Sequence, residues 1–178
     1  MNDWLRDHAA LLPATGRALD VACGRGNNAL WLAERGFLTH AVDRDGEAVR
    51  ALNDEARARD LPLVAEVLDL ERGDRVLAPA VYDVIVVVHY LHRPLFPQIV
   101  AALRPDGVLV YETFTIAQAA RGKPTNPAFL LKPGELRELV KPLVIVAERE
   151  GDFDGRMIAS VVARRVDVRS VDVRSVRL

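Results

Sequence analysis

Apolar positions along this chain switch between short β-type runs and stretches spaced at three and four residues. Residues 18–22 form a short apolar run, interrupted by Asp20 and ended by a glycine turn. Across 27–35, Ala29, Leu32, Ala33 and Gly36 recur at helical spacing, a small-residue stripe that can lie close on a sheet. Residues 38–43 read as a second strand. Asp45 is placed to cap a helix with Val49, Leu52 and Ala56 inward, which Leu61-Pro62 stops. Residues 63–68 make a third strand, closed by Asp69-Leu70. The run at 82–88 contains five consecutive β-branched residues, Val84 to Val88, and suits burial on both faces at a sheet's centre. Phe96, Ile99, Val100 and Leu103 outline an amphipathic helix, and Asp106-Gly107 turns the chain into a strand at 108–113. Pro133 opens a short helix with Leu136, Leu139 and Val140 inward. Strands at 143–147 and 157–163, joined through 151–155, form a closing hairpin. Trp4, Leu5, His8, Leu11 and Leu12 have helical spacing and are expected to pack across the mouth of the site.

Strands alternating with crossover helices predict an α/β fold, a doubly wound, mostly parallel seven-stranded sheet with a C-terminal antiparallel hairpin. Such sheets bind ligands beyond the carboxyl ends of their strands, where strand order reverses. Four strand ends therefore matter: 20–26, 43–44, 69–70 and 89–93. The domain is expected to span 1–165. Residues 166–178 form a tail in which Val-Asp-Val-Arg-Ser occurs twice, at 166–170 and 171–175. A five-residue period flips the valine face between copies, so one straight strand could not bury both, and the tail is assigned no function.

With 178 residues, 24 basic against 25 acidic side chains and a net charge of −1, the chain has no broad basic field, which argues against nucleic acid as a partner. One cysteine, Cys23, can form neither an internal disulfide nor a zinc cage. No metal is expected, since His89-x-x-His92 lacks an acidic third ligand at regular spacing. The longest apolar runs are far too short for a bilayer, and MNDWLRDHAA lacks a secretory signal's basic start and greasy core. These features predict a soluble, cytoplasmic, single-domain protein, a monomer or homodimer, acting on a small molecule and not on a membrane.

The first strand runs into Asp20-Val-Ala-Cys-Gly24-Arg-Gly26-Asn-Asn28. Two glycines at alternate positions permit a tight strand-to-helix turn and a close approach of backbone to ligand, and Gly24-x-Gly26-x-x-Ala29 satisfies the loose dinucleotide fingerprint. Asp20 shifts the balance. A carboxylate about 4 Å from a unit charge is worth roughly 1–4 kcal/mol in partly wet surroundings, against a phosphate and in favour of a cation. S-adenosylmethionine, with ammonium and sulfonium centres, fits that preference; the plainer alternative is a partner for the helix N-terminus or an ion pair with Arg17 or Arg25. Asp43, beside Arg44, can accept both hydroxyls of an adenosine ribose, and Asp69 can accept from an adenine amino group with Leu70 covering the ring.

These residues resemble the class I S-adenosylmethionine-dependent methyltransferases. The stretch 20–26 looks like their first motif, Ala41-Val-Asp43 their second, Leu68-Asp69-Leu70 their third, and 103–109 their late helix-to-strand turn. The likeness covers about 15–163, and Gly24-x-Gly26 followed by Asn28-x-Leu30-x-Leu32 is similar to the tellurite-resistance TehB group. The resemblance implies a Rossmann-like methyltransferase fold with S-adenosylmethionine held by Asp20, Ala22, Gly24, Gly26, Asn28, Asp43, Arg44, Asp69, Leu70 and Val88. It further implies methyl transfer by in-line displacement to a small acceptor, such as the oxyanion tellurite or a thiol. Ala22 stands where the family's first glycine is usual, and His89-Tyr90 replaces the Asn/Asp-Pro-Pro-Tyr of amino-directed enzymes.

Displacement at an activated methyl needs mainly positioning, plus a base where the acceptor carries a proton. Candidates after the fourth strand are His89, Tyr90, His92 and Arg93. The stretch 115–127 reads as a long loop, with Arg121 and Lys123 able to meet an anionic substrate if it closes as a lid. Two other readings stay open: an NAD-binding oxidoreductase of similar topology, which Asp20 opposes, and a non-catalytic S-adenosylmethionine-binding protein.

Overall fold

A computed structural model describes residues 1–72 and 76–166. Apart from Val166, the tandem repeat lies outside the described residues. One seven-stranded sheet forms the core, in the order β3-β2-β1-β4-β5-β7-β6. β1 (Arg17–Val21), β2 (Leu38–Asp43), β3 (Leu63–Val67), β4 (Tyr82–Val88) and β5 (Leu103–Phe114) are mutually parallel, whereas β7 (Arg156–Arg164) runs antiparallel to β5 and β6 (Val144–Phe153). Strand order reverses between β1 and β4, which places the ligand crevice at their carboxyl ends.

The valine run of β4 is buried on both faces. Val84 and Val86 pack with Trp4 and Leu5 of α1 (Asp3–Asp7) and Leu32 of α2 (Asn27–Glu34), while Ile85 and Val87 pack with Phe96 and Ile99 of α4 (Phe96–Ala102). The stripe Ala29, Ala33 on α2 and Val49, Leu52, Ala56 on α3 (Gly46–Ala58) covers β2 and β3. Asp45 caps α3 as expected, accepting from the N–H groups of Glu47 and Ala48.

Several boundaries differ from the sequence expectation, each for a local reason. β5 begins at Leu103, because Asp106 takes φ +63° and the chain makes a register shift opposite Tyr82 and Val84 without leaving the sheet. The hairpin turn shrinks to Asp154-Gly155, both at positive φ, the geometry a two-residue hairpin loop favours. Consequently β6 runs through the polar stretch Glu148-Arg149-Glu150, which an edge strand tolerates. The helix expected from Pro133 starts two residues later as α5 (Glu135–Leu139), after Gly134 at φ +70°. Residues 115–127 are no open loop: a 3-10 turn, Ile116–Ala120, and the bridge pairing Thr115 with Leu131 fold them against the sheet end.

Candidate active site

The crevice contains two cavities that meet at Ala22 and His89. The first, about 340 Å³, is lined by Asp43, Arg44, Asp69 and Leu70, with Tyr90, Phe114, Pro124 and Phe129 also on its wall. The second, about 410 Å³, is lined by Asn2, Asp20, Gly24, Asn28, Val88 and Arg156. Both open at the carboxyl ends of the parallel strands, and Arg156 joins them because β7, being antiparallel, starts at that end.

The glycine turn explains much of the geometry. Ala22 takes φ +53°, the left-handed conformation that a glycine would adopt at no cost, so it meets the turn's requirement with a small side chain. Gly24, at φ +52°, donates its N–H to Asp43 Oδ2 at 2.7 Å, and a Cβ built there would meet nothing within 4 Å. The open space beside it is the second cavity. Gly26 serves differently: it precedes α2 at φ +74°, and a Cβ there would sit 2.4 Å from Leu52. It lets α2 and α3 approach, and it does not line either cavity.

Asp20 is buried, 1% exposed, and accepts the Ala29 N–H at 3.0 Å. Burial pushes its carboxyl up to about 7, the Ala29 hydrogen bond opposes the rise, and nearby Asp43 adds to it. The plainer alternative of a helix N-terminal partner is therefore realised, and the same side chain also lines the second cavity. Asp43 accepts from Gly24 and from Asp45 N–H at 2.9 Å, while Asp69 accepts from Glu71 N–H at 3.0 Å and pairs with Arg72. Cys23 sits in the turn, where burial and the fields of Asp20 and Asp43 push its thiol well above the usual range and keep it an unreactive thiol.

The four residues after β4 separate. His89, at φ +56°, lies at the junction of both cavities. Its ring stacks on Phe114 at 4.7 Å, and its Nε2 stands 4.0 Å from Glu112 Oε1. Burial lowers its pKa below the ordinary value; Glu112 opposes that change and Arg156 adds to it, so the imidazole is neutral at pH 7. Tyr90 faces the first cavity with a buried hydroxyl that has no hydrogen-bond partner among the described residues. Burial, then Glu71 and Asp69, raise its pKa, which keeps the proton on and makes it a donor rather than a base.

Arg93, the fourth candidate, lines neither cavity, and its fork is fully engaged. It binds Glu135 through Nε at 2.7 Å and Nη2 at 2.8 Å, and donates to the carbonyls of Ala128 and Leu130 at 3.0 Å each. His92 lines neither cavity. Arg121 and Lys123, expected to face an anionic substrate, also line neither; Arg121 pairs with Asp152 at 2.5 Å. Asn28 lines the second cavity, yet its Oδ1 accepts from the Asn2 N–H at 2.8 Å. Asn2 in turn donates to buried Glu112, which also accepts from Arg149 and Ser160. The N-terminal segment thus sits at the mouth through Met1 to Asp3, while Trp4 and Leu5 cover the core. Arg156 has no carboxylate partner within ion-pair distance among the described residues.

No group of three or more potential metal-binding side chains occurs among the described residues, and no helix there is long and apolar enough to cross a membrane.

Comparison with known proteins bears on the family and the fold. Residues 18–107 match the model of a methyltransferase domain. Hemagglutinin 1 of Eikenella corrodens is 32% identical over 131 residues, 68% of this chain and 42% of that protein. The chain spans about half the length, or less, of the curated relatives it matches. An S-adenosylmethionine dependent methyltransferase of Mesorhizobium loti shares the fold at TM-score 0.71 and 19% identity, over 90% of this chain and 96% of that one. TehB of Haemophilus influenzae does so at TM-score 0.72 and 18% identity, over 92% of this chain and 61% of that one. With the matched segment running from β1 into β5, through the glycine turn and all three strand-end acids, the chain belongs to the methyltransferase-domain family.

Proposed function

We propose that the protein transfers a methyl group from S-adenosylmethionine to a small-molecule acceptor. The observation that carries this reading is the pair of cavities meeting at Ala22 and His89, one edged by the ribose- and adenine-type acceptors Asp43 and Asp69, the other floored by Asp20 and Gly24. Two features fit the cofactor independently of any relative. The open space beside Gly24 is room that a Cβ would fill, and the buried Tyr90 hydroxyl lacks a partner on the side where Asp43 and Asp69 lie.

When bound, the cofactor supplies an activated methyl: the acceptor's lone pair forms the bond to carbon while the carbon–sulfur bond breaks and its electrons stay with sulfur. Asp43 would hold the ribose, Asp69 and Tyr90 the adenine side, and Leu70 the ring face. Asp20 would meet positive charge, and Arg156 the carboxylate. His89, neutral at pH 7 and at the junction, takes the proton of an acceptor that carries one.

The likeness to TehB would put an oxyanion such as tellurite among the acceptors, but the cations expected to bind it, Arg121 and Lys123, line neither cavity. A thiol accords better with a neutral His89. Residues 1–165 act as the transferring domain in this reading. Titration calorimetry with S-adenosylhomocysteine and with NAD tests the cofactor: binding of the first and not the second is expected, and the reverse would establish an oxidoreductase. Release of S-adenosylhomocysteine from S-adenosylmethionine across oxyanions, thiols and small amines then tests turnover, and binding without turnover against any acceptor would leave a non-catalytic binding protein.

A further inference from the structure

Resting on the methyltransferase reading, we propose that the acceptor is an aryl compound with an acidic X–H group, an aromatic thiol or phenol, its ring seated against Phe114, Pro124 and Phe129 and its sulfur or oxygen at His89. Leu91, Phe114, Pro124 and Phe129 give the cavity that His89 borders an apolar surface, and Arg44, next to Asp43 in the chain, is the guanidinium among its lining residues. Phe114 already stacks on the His89 ring, with 21° between the planes, so a ring resting on this wall lies beside the imidazole.

Exposure of a phenylalanine is by itself ordinary. What sets Phe129 apart is how it is held. Arg93 donates to the carbonyls on both sides of it, Ala128 and Leu130, and Glu135 grips Arg93 with both oxygens while also accepting the Lys132 N–H. The result keeps a ring that is 49% exposed at the cavity rim. Pro124 is fixed in the same manner: the buried Gln118 donates to the Lys123 carbonyl at 3.2 Å and accepts the Met157 N–H at 2.9 Å. Two polar side chains from different elements thus preorganise two apolar surfaces of one chamber, which lowers the ordering cost of binding a flat ligand. Arg93 is accordingly a positioning residue.

The test measures binding as well as turnover. Naphthalene-2-thiol, 2-naphthol and tellurite are titrated into the wild-type protein saturated with S-adenosylhomocysteine. One or both naphthyl compounds should bind, whichever is methylated identifying the nucleophile, and tellurite should not bind. Phe129→Ala, at an exposed position, should weaken naphthyl binding about tenfold while leaving S-adenosylhomocysteine affinity unchanged. Arg93→Lys should raise the KM for the naphthyl acceptor with little change in kcat, because an ammonium cannot bridge two carbonyls and a carboxylate as the fork does. Tellurite binding in place of the naphthyl compounds, or naphthyl affinity indifferent to Phe129→Ala, overturns the proposal while the cofactor reading stands. Failure of S-adenosylhomocysteine to bind removes both.

Discussion

Replacing Asp20 by Asn should make the protein more stable and bind its cofactor less well. The carboxyl is 1% exposed and titrates at about 7 instead of 3.8, chiefly because burial penalises its charge. Since the folded value is the raised one, the folded chain keeps a proton that the unfolded chain has already released. Stability from this group is complete below about pH 4, falls as pH rises to about 7 and is then constant, with a ceiling of about 4 kcal/mol at roughly 1.4 kcal/mol per pH unit between the two values. Asparagine has the same shape and keeps an oxygen for the Ala29 N–H, so the hydrogen bond survives without the charge. Urea denaturation of both proteins at pH 4.5 to 8.5, free of cofactor, should give curves that converge at the acid end and separate toward neutral pH, with Asp20→Asn the more stable. Other titrating groups, His89 among them, are common to both proteins and cancel in the difference. The charge that destabilises the free protein is the one a cation in the second cavity would meet, so S-adenosylhomocysteine affinity should fall in the variant by about 1–3 kcal/mol. Parallel stability curves would refute the buried-charge argument, and undiminished affinity would refute the assignment of the cavity.

Gly24→Ala should fold with a cost of about 1–2 kcal/mol from its left-handed backbone; its methyl enters the second cavity, so calorimetry should show S-adenosylhomocysteine binding lost or weakened at least about tenfold, and normal affinity would show that the cofactor does not pass there. Asp43→Ala should weaken the same binding by about 1–3 kcal/mol and lower the melting temperature as well, because the N–H groups of Gly24 and Asp45 lose their acceptor. His89→Ala should cut turnover of a protonated acceptor by about 10² or more. In the wild type, kcat/KM should rise with pH through a value below 6.5, since the base works in its neutral form and burial lowers its pKa; a rate that keeps rising well above pH 7 would exclude this histidine.

What the sequence made legible follows from what the topology dictates. A parallel doubly wound sheet delivers its strand ends to one edge, so Asp20, Asp43, Asp69 and His89 could be placed together from strand boundaries alone, and the structure puts all four on the crevice. The same rule extended to β5 and to the start of the antiparallel β7 would have found Phe114 and Arg156, whose positions need only strand direction. Arg93, Arg121 and Lys123 are another matter. A charged side chain several bonds long can reach a ligand, a carboxylate or a bare carbonyl, and the chain sequence does not say which partner folding brings near.

For Arg93 the partners were fixed by backbone that has no ladder to join. The stretch from 123 to 131 crosses the sheet end with few strand hydrogen bonds available to it, and its carbonyls had to be satisfied by something. Arg93 answers two of them at Ala128 and Leu130, and Gln118 answers the one at Lys123. Arg93 is therefore occupied in shaping the chamber and Arg121 in pairing with Asp152, and in the proposed reading the surface that meets the acceptor is the apolar one. In the proposed reading, specificity follows from how loop carbonyls are satisfied, one step removed from the side chains that would touch the ligand.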